Sequence, residues 1–153
     1  MVKKYVQREI EFTFWCVVVG ELKQDRGGYS AYVSVDKQND KLRRVPQLTH
    51  DAQHFDFEYN LVERVKQIAL IKIKTNQFLP ETIRFALADM GAPIFGDNKY
   101  GGDTLAKNTF LSMILAKVRL EYGENGDKMN FITMPNETKP WTYFECEKLI
   151  TQY

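Results

Sequence analysis

His50 and His54 stand four residues apart, a spacing that on a helix would bring two imidazoles to one face as metal ligands. The alternation in HFDFEYNL favours a strand instead, which separates them along one face, and no glutamate follows in the zinc-helix arrangement. No metal site is expected. Two carboxylate pairs, Asp56 with Glu58 and Glu81 with Asp89, could do acid and base work, but a solvated strand face and a helix N-terminus account for them as well. Cys16 and Cys146 have no neighbouring histidine and read as core residues, and no G-x-S-x-G elbow supplies a nucleophile. GGDTLAK has the glycines of a phosphate loop without its spacing or its Lys-Ser/Thr pair, so neither a nucleotide nor any other cofactor is called for. Phe12, Phe14, Trp15, Trp141, Tyr143 and Phe144 could stack on flat ligands, although core packing is the commoner use of such rings.

The elements that must position these groups come from a chain of 153 residues, 44% hydrophobic, 13% aromatic and 27% charged. That composition excludes intrinsic disorder and suits one domain over residues 1–153. Twenty-one Lys and Arg against 20 Asp and Glu leave a formal charge of +1, so any polyanion site must be a local patch. The densest basic cluster is Lys41, Arg43 and Arg44. Two distant cysteines and the absence of a leader pattern point to a reducing, cytoplasmic setting, and the apolar run at Trp15 to Val19 is too short for a membrane span.

The expected class is α+β, a mixed, mostly antiparallel sheet with a few helices. After a helical start, FTFWCVVVGEL reads as a strand covered on both faces, Gly27 and Gly28 as a turn, and YSAYVSV as a second strand. DKQNDKLRRV reads as a polar connection, while HFDFEYNL and KQIALIKIKT read as antiparallel neighbours. In LPETIRFALADMG the period changes: Ile83, Leu87 and Met90 share a helical face, Pro80 suits the first turn and Gly91 the stop. GAPIFGDNKYGGD is a turn-rich loop, FLSMILAKVRLEY and KMNFITM a closing strand pair, and WTYFECEKLITQY a terminal helix.

From LIKIKT through ETIRFALADMGAPIFGDNKYGGD the chain resembles the RluA-type RNA pseudouridine synthases, in which a strand ends in T-G-R-x-H-Q-I-R and a later loop reads G-x-P-I-x-G-D-x-x-Y-G. Ile83, Arg84, Gly91, Pro93, Ile94, Gly96, Asp97, Tyr100 and Gly101 match the second half of that signature, and Thr75 stands at its first threonine. FTFWCVVVGEL sits where the family has K-x-Y-x-A-x-V-x-G, aligned through Gly20, and the resemblance extends over about residues 5 to 145.

The resemblance implies the later part of the family's catalytic fold. The family's catalytic aspartate lies in H-R-L-D-x-x-T-S-G, and no aspartate here has that context, so no catalytic residue is assigned. The strand tyrosine that stacks on the target base is replaced by Phe14, and QFLPET replaces R-x-H-Q, removing the basic partner of the catalytic carboxylate. Positioning alone cannot supply the isomerisation without that carboxylate. The expectation is a synthase-like protein, inactive by itself, that either scaffolds a partner or binds structured RNA such as rRNA or tRNA, the latter through a groove of Arg43, Arg44, Lys72, Lys74, Arg84 and Lys99 with Phe14 at its floor. The alternatives are one half of a split synthase completed by another chain, or a homodimeric interaction module. Thr75, Ile83, Gly91, Pro93, Ile94, Gly96, Asp97, Tyr100 and Gly101 are read as structural.

Overall fold

A computed structural model describes residues 10–101, 110–122 and 126–152. The helix expected at the start of the chain lies outside the described residues. One seven-stranded sheet runs β1 (Ile10–Val19), β2 (Arg26–Asp36), β3 (Lys41–Arg44), β4 (Gln53–Val65), β5 (Ile68–Thr75), β6 (Met113–Tyr122) and β7 (Asp127–Ile132). Its spatial order is β3-β2-β4-β5-β1-β6-β7 and every pairing is antiparallel. Among the described residues, helices α1 (Pro80–Asp89) and α2 (Cys146–Gln152) join the sheet in an α+β architecture.

β1 and β5 are apolar on consecutive positions because both their faces are covered. Phe14, Cys16 and Val18 of β1 join Ile71 and Ile73 of β5, and α1 covers them with Ile83, Ala86 and Leu87. On the opposite face Trp15, Val17, Ile68 and Leu70 meet Trp141, Phe144 and α2. The alternation in β4 turns Phe55, Phe57 and Tyr59 to the α1 face, while Asp56 and Glu58 between them are exposed.

Helix α1 opens on Pro80 and stops at Gly91, whose φ of 87° takes the left-handed conformation. The Gly91 amide donates to Ala88 O and the Ala92 amide to Leu87 O, the paired bonds of a Schellman stop. From there the chain returns to β1: Val19 N donates to Pro93 O and Phe95 N to Val17 O, both at 2.8 Å. The loop after the helix is thereby hydrogen-bonded to the central strand.

Three expectations are corrected. Gly27 and Gly28 lie inside β2, opposite Tyr59 and Glu58, and a Cβ on Gly27 would stand 3.1 Å from the Tyr59 hydroxyl, so here the small residue makes room for a ring. The polar connection contains β3, a charged edge strand. The terminal helix is divided into a 3-10 turn at Trp141–Tyr143 and α2, because Phe144 is extended.

Candidate functional site

Asp97, whose side chain is fully buried, accepts from Arg84 Nε at 3.0 Å and Arg84 Nη2 at 2.8 Å. It also accepts from the backbone amides of Lys99 and Tyr100, each at 3.0 Å. Burial opposes ionisation, but the Arg84 bonds and the two amides outweigh it and hold the carboxyl below the usual carboxylate range. Beside it, Glu81 ion-pairs with Lys99, which pulls the Glu81 carboxyl down as well, and accepts from the Tyr100 hydroxyl at 3.0 Å. That hydroxyl accepts in turn from the Leu42 amide at 2.9 Å, and the Arg84 guanidinium stands 5.6 Å from the Tyr100 ring centre. The network ties the helix start, the loop and the β3 edge together.

The motif residues around it hold backbone. Ile83 is fully buried, Ile94 bridges to Val18, and the Gly101 amide donates to Asp97 O at 3.0 Å. Gly96, at φ 86°, passes so close to Phe110 that a Cβ would fall 2.3 Å from its carbonyl oxygen.

The cations expected to line one groove do not converge. Arg44 turns to the α1 face, where it pairs with Asp89 at 2.7 Å and Tyr29 donates to the same carboxylate at 3.1 Å. Arg84 and Lys99 lie on that side too, each bound to a carboxylate. Arg43 pairs with Ser34 and Lys72 with Trp15, and those registers place Arg43, Lys72 and Lys74 on the opposite face. There Lys74 stands 3.9 Å from Glu11, and burial together with the charges of Lys74 and Lys117 holds the Lys72 ammonium below its usual value.

Phe14 is not an open floor. It is 2% exposed, and Phe78 lies over it at a ring separation of 6.0 Å and an interplanar angle of 29°. Phe12 supports Phe78 from the side at 5.4 Å. The neighbouring segment is fastened to β4: Thr75 Oγ1 donates to Asp56 O at 3.0 Å, Gln77 Nε2 donates to His54 O at 3.0 Å, and Asp56 N donates to Gln77 Oε1 at 3.2 Å. Sequence reasoning missed Gln77 and Phe78. The signal was the aromatic within QFLPET, placed just before a helix. Among the described residues no group of three His, Cys, Asp or Glu could hold a metal ion. His54 contacts Ser30 Oγ through Nε2 at 2.8 Å, apart from His50.

No family model matches the chain, and no curated protein does. Eleven chains of solved structures match. Human RNA Pseudouridylate Synthase Domain Containing 1 aligns with a TM-score of 0.71 and 12% identity over 91% of this chain and 60% of that one. Human RNA Pseudouridylate Synthase Domain Containing 4 gives 0.68 and 14% over 88% and 61%. The chain has the pseudouridine synthase fold. It spans about three fifths of the length of those two synthase-fold chains. Within the synthase fold, the loop that carries the sequence resemblance is the one clamped by Arg84 and Asp97. The strand position read as its stacking aromatic lies beneath Phe78.

Proposed function

We propose that this chain is a pseudouridine-synthase-like domain that binds structured RNA and does not isomerise uridine with its own residues. The observation that carries the reading is the Phe14–Phe78 stack, which fills the place where the resemblance puts the target base. The cation that the family aligns with its catalytic carboxylate is replaced, at Gln77, by a side-chain amide that is hydrogen-bonded to His54 O and Asp56 N of β4. Neither side chain can supply the charge that breaking and remaking a glycosidic bond requires. RNA as the partner is supported by the shared fold and by the loop motif kept from Gly91 to Gly101.

Two measurements on one preparation test it. Filter binding to rRNA and tRNA fragments across a salt series is expected to show affinity that falls steeply as salt rises, because phosphate contacts release counterions. Isomerisation moves the glycosidic bond to C5 and releases the C5 hydrogen, so RNA tritiated there is expected to release nothing. Absence of binding at low salt overturns the RNA assignment, and tritium release overturns the inactivity.

A further inference from the structure

Phe78 is 55% exposed although it precedes a helix whose apolar face is buried. An aromatic so placed would ordinarily turn inward. Its ring is fixed from beneath by Phe14 and from the side by Phe12, both within the range of favourable aromatic pairs, and more than half of the residue is left to solvent. The surface around it continues in kind. Phe12 pairs with Val118 and Val118 with Phe131, so these three side chains lie in a row on the α1 face, the outermost about 10 Å from Phe12. Phe131 is also 55% exposed, and Met129 beside it 40%.

We infer that the outer face of Phe78 is a stacking platform for an unpaired RNA base, with Phe131 bounding the same apolar strip. This rests on the RNA-binding reading above and gives that reading its point of contact. A flat ring already held by two others loses little conformational freedom when a base lands on it, and stacking of this kind accepts any base because each has a π face. The buried ring of Phe14 is covered and its substitute stands one layer further out. The strip therefore takes single-stranded or unpaired nucleotides, whose faces are free, in preference to duplex RNA, whose faces are stacked on each other.

The test compares the wild-type chain with Phe78→Ala, Phe78→Leu and Phe78→Trp, using a single-stranded oligouridylate and a duplex RNA of equal length as probes. Phe78→Ala and Phe78→Leu are expected to lose about 5- to 150-fold in affinity for the single strand with the salt slope unchanged. Duplex binding is expected to stay the same. The leucine variant keeps the apolar cover over Phe14, which separates stacking from folding. Phe78→Trp is expected to bind as wild type does and to show quenched indole emission on saturation, since Trp15 and Trp141 are buried. If the wild type binds RNA but the alanine and leucine variants bind equally well, or the Phe78→Trp emission does not change, the platform is wrong and the RNA reading survives. If the wild type binds the rRNA and tRNA fragments but neither probe at low salt, the platform is wrong and the RNA reading survives; if it binds none of them, both fall.

Discussion

Arg84 on α1 and Asp97 in the following loop meet through a two-bond fork at 2.8 and 3.0 Å, spanning thirteen residues of sequence. The fork is charge-assisted and planar on both sides, the geometry in which a guanidinium and a carboxylate bind most strongly. Because Asp97 also caps the amides of Lys99 and Tyr100, one carboxylate sets the conformation of the whole turn. A residue that sequence alone offered as a phosphate contact, Arg84, is committed to the fold.

Asp97→Asn is therefore expected to cost about 2–3 kcal/mol, less than the full penalty for a buried pair because Arg84 keeps 24% of its side chain exposed. For a chain of this length that lowers the thermal midpoint by about 4–12 °C. The pH dependence follows from the sign of the shift. The folded Asp97 carboxyl lies below its unfolded value, so its contribution is present above about pH 4 and disappears as the pH falls through the folded value. Midpoints measured by circular dichroism from neutral pH downward are expected to fall more steeply for the wild type than for Asp97→Asn. Parallel acid limbs would show that the fork does not act this way.

Gly96 offers a second check on the same turn. An alanine there must hold a left-handed φ of 86° and put its Cβ 2.3 Å from a backbone oxygen that cannot swing aside. At Gly126, φ is 71° and a Cβ would meet nothing within 4 Å. Left-handed strain alone is worth about 1–2 kcal/mol, so Gly126→Ala is expected to lose about that much and Gly96→Ala at least about 3 kcal/mol. Equal losses in denaturant unfolding would contradict the close approach.

The outcome for sequence reading can be followed through the same residues. β1 was legible because apolar residues at consecutive positions leave few alternatives to a doubly covered strand, and α1 because Pro80 and Gly91 mark its two ends. The site was much less legible. Arg43 and Arg44 are adjacent, and adjacency in a strand means opposite faces. Lys72 and Phe14 look like neighbours only until the pairing of Trp15 with Lys72 is known, and register is a long-range property that no local pattern carries. The Glu81, Lys99 and Asp97 bonds that occupy the cations depend on how a loop folds back on a helix, which spacing along the chain does not encode.

The two cysteines are expected to be chemically silent in the folded chain. Burial pushes the Cys16 thiol far above its usual value, and burial, followed by the Glu63 charge, pushes Cys146 up to about 11. The Cys146 thiol also donates to Trp141 O at 3.4 Å. At pH 8 neither forms appreciable thiolate, so a disulfide reagent such as Ellman's is expected to react only as fast as the chain opens. Because the folded values lie above the unfolded ones, the associated stability is intact below about pH 8.5 and declines as the pH rises past it. Rapid stoichiometric labelling without denaturant would show that one thiol is accessible.

Placing at Phe14 the tyrosine that the resemblance implies tests the proposal that the Phe14–Phe78 stack closes the site. Phe14 is 2% exposed with Phe78 over its ring, so a new hydroxyl must either stay buried without a partner or push Phe78 outward. The first course costs about 1–3 kcal/mol, and the second forfeits an aromatic contact worth about 0.5–1.5 kcal/mol. Phe14→Tyr is accordingly expected to be less stable than the wild type and to release no tritium from labelled RNA. Phe78→Ala opens the space that the hydroxyl needs, so the double variant is expected to be more stable than the sum of the single changes predicts, by about 0.5 kcal/mol or more. Strict additivity in urea unfolding would mean that the two rings are not coupled, and the stack would then not be what closes the site.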